Sequence, residues 1–398
     1  MPRPVRLRRM WWTVHRWIGI GLMILLVPIS ISGALLVYKD ELDALINAKR
    51  WTVTGPALAL SNAQYIASAS RTLSANEQII AIRYPREVGH PLQVVVLQQP
   101  EPGSGQRPRR FTVFLDPPTG AVLDKVDFRA SLFGFLHVFH ENLTIPRYSG
   151  RQIVGWAGVG MLILSLTGIW LWWPRRGALL RALRWRRAQH MTTNLHHLFG
   201  FWISIPLAVV SLTGIYLSWP QTARSFMSSI APMQAQPKRS FGAGILQNPN
   251  LSADEALRLA VASEPGSRPA ALFLPMAPKQ QPAGAERKGT KRNAASPTWR
   301  AQLRMGEHGL VTVTIDDRTK SLRRTPDPLA GNRAAQRIRW IHDGGRGGPV
   351  WRFIVFLTGV FPPIFAVTGL LMWWRSRRLR RQVDSVRDAA EEKLVAAE

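Results

Sequence analysis

The 398-residue chain carries 52 Lys and Arg against 24 Asp and Glu, a net charge of +28, and contains no cysteine. Lack of cysteine excludes disulfides, thiolate-held iron–sulfur clusters and covalently attached c-type haem. A mean hydropathy of -0.05 conceals apolar residues gathered into blocks, and that unevenness excludes an ordinary soluble protein.

The first block, residues 18–37, follows an N-terminus that carries Arg3, Arg6, Arg8 and Arg9. It is long enough to cross a hydrocarbon core of ~30 Å, and too long, with no small-residue cleavage site, for a removable signal. Residues 1–38 therefore read as a cytoplasmic N-terminus and first transmembrane helix. Residues 39–149 read as an external α+β domain. In it Ser61 is the N-cap of a helix, and residues 110–123, with the turn Asp116-Pro117-Pro118-Thr119-Gly120, read as strand, turn, strand. The second span is 150–174, apolar over 154–173, and a basic loop occupies 175–191. A third span, 192–219, is apolar over 198–219. The second external domain, 220–348, has Ser252 as the matching N-cap, the strand Val311-Thr312-Val313-Thr314-Ile315 and a disordered insert at about 276–297, where Pro, Gly, Ala and Lys show no apolar pattern. The fourth span is 349–374, apolar over 351–374 apart from Arg352, followed by a tail at 375–398.

Trp11, Trp12, Trp17, Trp172, Trp173, Trp219, Trp373 and Trp374 lie at the ends of these blocks, at headgroup level. The arginines of the N-terminus, of 175–191 and of 375–381 place all three segments, and both termini, in the cytoplasm. About half of the excess positive charge lies in those membrane-flanking segments, which argues against nucleic acid as a partner. Most of the rest lies in 220–349, either as a solvated face near anionic lipid or as an attractor of an anionic ligand.

The chain also repeats itself. In Val14-His15-Arg16-Trp17-Ile18-Gly19 and Leu195-His196-His197-Leu198-Phe199-Gly200, glycines fall four and eighteen residues after the first histidine, at Gly19 and Gly33 and at Gly200 and Gly214. Thr167-Gly168 through Trp172-Trp173 aligns with Thr368-Gly369 through Trp373-Trp374 without a gap. Each half is thus span, α+β domain, span, which predicts two parallel repeats about a pseudo-twofold axis along the membrane normal.

The repeat makes His15 equivalent to His196 and His140 equivalent to His342, so each pair can clamp one planar cofactor from two sides. Eighteen residues are five turns of helix, so His15 and Gly33 share a stripe, and Gly19 and Gly200 leave room for a flat macrocycle near their histidines. Neutral imidazole is a common axial ligand of haem iron. A lone interfacial histidine is commonly a polar anchor, but four in two symmetric pairs point to two non-covalent, bis-histidine b-type haems. His137 and His197 are alternative ligands. His90, His190 and His308 have no counterpart and read as solvent-facing. Glu141 and Asp343 are placed to orient the neighbouring imidazoles. Zinc or copper fits poorly where only two histidines meet without Cys.

On the motifs Val14–Gly19, Leu136-His137-Val138-Phe139-His140, Leu166-Thr167-Gly168 through Pro174-Arg175, Leu195-His196 and Ile341-His342-Asp343-Gly344, the chain resembles the PepSY-associated transmembrane family. Its external regions are similar to PepSY domains at Phe114–Gly120, and within the family it looks like bacterial inner-membrane siderophore reductases of the ferrioxamine type. The resemblance implies a multi-pass inner-membrane di-haem reductase that passes electrons across the bilayer to ferric siderophore in the periplasm, releasing ferrous iron. Trp156, Phe356 and Phe361 are the aromatics expected to assist. Nothing in the short cytoplasmic segments can hold a flavin or nicotinamide domain, so the donor is quinol or a partner reductase. Two other classes stand beside this one: a siderophore permease, for which the polar residues in the spans (Ser30, Ser32, Thr167, Thr213, Thr368) are weak, and a PepSY-type interaction protein without redox activity.

Overall fold

The computed structural model describes residues 3–101, 108–173, 190–234, 244–277, 296–306 and 309–395. Most of the basic loop at 175–191, most of the 276–297 insert and His308 lie outside the described residues. The chain forms two compact units, one of Met1–Tyr38, Leu136–Pro232 and Ala330–Glu398, the other of Lys39–Phe135 and Met233–Leu329.

The first unit is helical. Four helices, α1 (Arg3–Val37), α6 (Arg147–Trp172), α7 (Met191–Ser218) and α11 (Gly348–Val395), are long and apolar enough to cross a membrane. They extend beyond the apolar blocks because helix, which satisfies its own backbone groups, continues into the polar flanks. α1 packs along α6 and α11, and α7 packs along the same two, so α1 and α7 stand at diagonal corners of the bundle. A small residue permits the closest approach: a Cβ on Gly359 of α11 would lie 2.6 Å from the Ser30 carbonyl oxygen and 2.7 Å from Ala34 Cβ on α1. Two shorter helices, α5 (Leu132–Asn142) before α6 and α10 (Ala330–Asp343) before α11, carry His140 and His342. A further short helix, α8 (Pro220–Ile230), follows α7 with proline at its first position.

The second unit holds α2 (Lys39–Ile46), α3 (Ala48–Trp51), α4 (Asn62–Ser70), α9 (Ala253–Ser263) and strands β1 (Glu77–Arg83), β2 (Leu92–Gln98), β3 (Arg109–Leu115), β4 (Val122–Asp127), β5 (Arg268–Phe273), β6 (Thr298–Met305), β7 (Gly309–Asp316) and β8 (Leu322–Arg324). Both expected N-caps form: Ser61 Oγ accepts from Gln64 N at 3.2 Å, and Ser252 Oγ accepts from Glu255 N at 3.1 Å. The strand–turn–strand readings correspond to β3–β4 and β7–β8.

Where the sequence reading separates two external domains, the described strands form a single antiparallel sheet in the order β4-β3-β2-β1-β5-β6-β7-β8. β1 pairs with β5 through Ala81↔Phe273, Ile82↔Leu272 and Arg83↔Ala271. Each four-stranded half would otherwise leave an edge of unpaired N–H and C=O groups, and joining the edges satisfies both. The helices join too, because Asp254 of α9 accepts from the backbone N–H of Asn62 and Ala63 at the start of α4, at 2.7 and 3.2 Å. Tyr65, Ile82, Leu92, Leu272, Trp299, Leu303 and Ile315 are fully buried in the common core beneath α4 and α9.

Candidate functional site

Each of the four long helices carries one hydroxyl-glycine pair that receives a histidine: Ser32-Gly33, Thr167-Gly168, Thr213-Gly214 and Thr368-Gly369. His15 of α1 meets Thr167-Gly168 of α6: Nδ1 lies 2.8 Å from Thr167 Oγ1, and a Cβ on Gly168 would sit 3.5 Å from His15 Cε1. His196 of α7 meets Thr368-Gly369 of α11 in the same way, with 2.9 Å to Thr368 Oγ1 and 3.7 Å to the Cβ that Gly369 lacks.

His140 of α5 lies on Ser32-Gly33 of α1. Its Nδ1 is 2.9 Å from the Ile29 carbonyl oxygen and 3.3 Å from Ser32 Oγ, and a Cβ on Gly33 would reach 2.7 Å from Cε1. His342 of α10 lies on Thr213-Gly214 of α7, with Nδ1 3.0 Å from the Val210 carbonyl oxygen, 3.2 Å from Thr213 Oγ1, and a Cβ on Gly214 at 3.0 Å from Cε1.

These contacts fix the tautomer. A carbonyl oxygen only accepts, so His140 and His342 must carry the proton on Nδ1 and donate it. Thr167 Oγ1 donates its own proton to the Ile163 carbonyl at 2.6 Å, and Thr368 Oγ1 donates to Ile364 at 2.8 Å. Both hydroxyls are then left as acceptors, so His15 and His196 donate from Nδ1 as well. In all four imidazoles Nε2 keeps a free lone pair, the form in which a neutral histidine ligates a metal. No described residue forms a hydrogen bond with any of the four Nε2 atoms.

The rings of one pair stand at a spacing that a metal would bridge, and those of the other pair line one cavity. The ring centroids of His140 and His342 are 6.2 Å apart, with the ring planes at 46°. Metal–imidazole bonds of about 2.0–2.1 Å, plus about 1.1 Å from nitrogen to ring centre, place two rings facing each other across one metal roughly 6.2–6.4 Å apart. His15 and His196 line a common cavity of about 430 Å³ in the helical unit. Gly19, Gly200, Gly168 and Gly369 form part of its wall, and a Cβ on Gly200 would meet nothing within 4 Å. At His15 and His196 the donor set is therefore two imidazoles on a cavity whose glycine-bearing wall leaves room for a flat group. Among the described residues no cluster of three or more His, Asp or Glu side chains is placed to hold a bare ion.

The remaining sequence candidates lie elsewhere. His137 and His197 are exposed, although His197 borders the cavity and its ring centroid lies 6.3 Å from that of His196. His190 is exposed at the start of α7, whereas His90 is half-buried, edge-on to Trp51 at 5.3 Å, because the loop before β2 folds against α3.

Glu141 and Asp343 do not orient the imidazoles. Glu141 pairs with Arg151, and Asp343 accepts from the Gly345 N–H at 2.8 Å, because neighbours in sequence on a helix point to different faces. Of the aromatics, Trp156 is 64% exposed beside Trp219, and Phe356 packs on Tyr38. Only Phe361 leads toward a histidine, through Phe365, whose ring centroid is 5.2 Å from that of His196. Sequence reasoning missed the hydroxyls of Ser32, Thr167, Thr213 and Thr368 as imidazole partners. The recurring Ser/Thr-Gly pair was the available signal.

No curated protein sequence matches the chain. A family model described as the PepSY-associated TM region matches residues 12–376, a stretch that contains the apolar blocks 18–37, 154–173, 198–219 and 351–374 and all six candidate ligands. By that match the chain is a membrane protein belonging to the PepSY-associated TM family.

Proposed function

We propose that the chain is a di-haem membrane oxidoreductase that carries electrons across the bilayer to a ferric chelate of the siderophore class, delivering ferrous iron. The observation that carries this reading is the hydrogen bonding: four histidines each engage Nδ1 with a hydroxyl or carbonyl oxygen on a long helix, and Nε2 has no partner among the described residues. Two imidazoles alone are too few to hold a bare iron, so the remaining ligands would have to come with the group itself, as haem would supply them. When bound, haem supplies reversible one-electron chemistry. His15 and His196 would hold one b-type haem, His140 and His342 the other.

The sites lie at different heights. From His15 to Ile29, on whose carbonyl His140 rests, α1 rises about 21 Å at 1.5 Å per residue. That spacing suits relay between the two halves of a membrane and makes little sense for a single binding site. The contact of His15 with Thr167 matches that of His196 with Thr368, and the contact of His140 with Ile29 matches that of His342 with Val210, which supports two parallel repeats about an axis along the membrane normal. The arginine distribution supports a bacterial inner-membrane topology with both termini cytoplasmic and the PepSY-like β-sheet unit in the periplasm. The His15–His196 site then faces the quinol or partner reductase, and the His140–His342 site faces the chelate.

The test is stoichiometric. Purified protein is expected to give two haem b per chain in a pyridine haemochrome assay, with low-spin bis-histidine spectra. Protein without haem bands leaves the permease and the non-redox interaction protein as the surviving classes.

A further inference from the structure

The cavity that holds His15 and His196 has a charged wall residue that the ligation scheme does not use. Arg16 lines it beside His15. Its guanidinium stacks on Trp12, with Cζ 4.4 Å from the ring centroid, and lies 5.4 Å from the centroid of Trp17. These contacts hold the group by its faces and leave its edges free to donate. Its Nε is shielded from solvent and meets no hydrogen-bond acceptor among the described residues. Among the described residues that line the cavity there is no Asp or Glu. A buried N–H without an acceptor costs about 1–3 kcal/mol, and more when charged, so an oxyanion belongs there.

Resting on the haem reading above, we infer that Arg16 is the binding residue for a carboxylate carried by the macrocycle held between His15 and His196. The chemistry required is an anionic oxygen within reach of a cavity that also presents two imidazole lone pairs. A haem propionate supplies it from inside the cavity, and a phospholipid phosphate would supply it from outside. The guanidinium fork, already fixed by Trp12, is preorganised for a carboxylate in a way that a flexible ammonium is not. Arg16 then sets the in-plane orientation of the macrocycle, while the histidines set its plane.

The experiment reads haem affinity, not turnover. Full-length protein made without haem is placed in nanodiscs of neutral lipid and titrated with protohaem or with protohaem dimethyl ester, which lacks both negative charges. Wild type is expected to bind one of its two haems roughly 10-fold or more tightly as the diacid than as the ester. In Arg16→Gln that discrimination should vanish, and Arg16→Lys should restore part of it. The wild-type comparison stands even if a variant folds poorly, and the cycle of side chain against ligand isolates the pairwise coupling. Equal binding of diacid and ester by wild type, or discrimination that persists in Arg16→Gln, overturns this inference alone. An Arg16 effect that appears only on adding anionic lipid assigns the residue to a headgroup and overturns it too. Failure of wild type to bind either haem overturns it together with the di-haem reading.

Discussion

The side chain that Gly33 lacks is replaced by the ring of His140: a Cβ at position 33 would lie 2.7 Å from His140 Cε1, 3.2 Å from Nδ1 and 3.6 Å from Nε2. Gly214 stands in the same relation to His342 at 3.0 Å. Gly33 and Gly214, each eighteen residues after His15 and His196, make room for the histidines of α5 and α10.

Gly33→Ala should therefore push His140 off its carbonyl and empty the His140–His342 site. The expected haem content falls from two to one per chain, with the remaining haem spectrally unchanged. Gly21→Ala, where a Cβ would meet nothing within 4 Å, should retain both haems. Absorbance at constant protein concentration distinguishes the two, and full occupancy in Gly33→Ala would refute the cradle.

Replacing Thr167 or Thr368 with Val keeps the shape but removes the oxygen that accepts from His15 or His196. The imidazole then loses its fixed tautomer. Removing such an outer partner typically weakens metal binding by roughly 10–100-fold. Thr→Ser at either position should restore binding, since only the hydroxyl is required. Haem dissociation to an apo-globin acceptor measures the effect, and it should be confined to the haem of the His15–His196 pair.

The β-sheet unit should be acid-sensitive through Asp317 and Asp116. Burial pushes the Asp317 carboxyl up, but the Asn250 and Leu251 N–H groups and the Trp299 indole hold it below the ordinary carboxylate value. Burial likewise raises Asp116, and donation from Thr119 and Thr54 outweighs it. A lowered folded pKa contributes stability that is complete above the unfolded carboxylate pKa of about 3.9 and is lost as pH falls below it. Thermal unfolding followed by Trp fluorescence should fall in midpoint below about pH 4. Asp317→Asn should lower the midpoint at neutral pH, by roughly 1–3 kcal/mol of stability, and should weaken the acid dependence.

How much of this could be read in advance depended on the range of the interaction. Length and apolarity mark the four spans because a bilayer imposes both locally. Ser61 and Ser252 mark their helices because a cap is a contact over three residues. The pairing of β1 with β5 was hidden, since Ile82 and Leu272 are almost two hundred residues apart and each half has a plausible sheet of its own. The histidines stood out by type and spacing, but their partners did not. Thr167 looks like any hydroxyl that bonds back to its own helix, which it does, and only the tertiary arrangement brings His15 to its other lone pair. Glu141 and Asp343 misled for the opposite reason, because adjacency in sequence is not adjacency on a helix face.

The order of electron flow is the most exacting prediction, because it asks the two sites to fail differently. His342→Ala removes one of the two rings whose centroids are 6.2 Å apart and should abolish reduction of an external ferric chelate. The His15–His196 haem should stay bound and reducible by dithionite. His15→Ala should empty the cavity site and block supply from quinol or a partner reductase. It should still allow chelate reduction when a soluble reductant charges the His140–His342 haem directly. His137→Ala and His197→Ala should retain both haems, since their neighbours already have Nδ1 anchored and Nε2 free. Proteoliposomes with donor inside and ferric chelate outside, assayed by a ferrous-specific dye, separate these cases. Full activity and two haems in His342→Ala would rule out the pairing, and loss of one haem in His137→Ala would move the ligand one turn along α5.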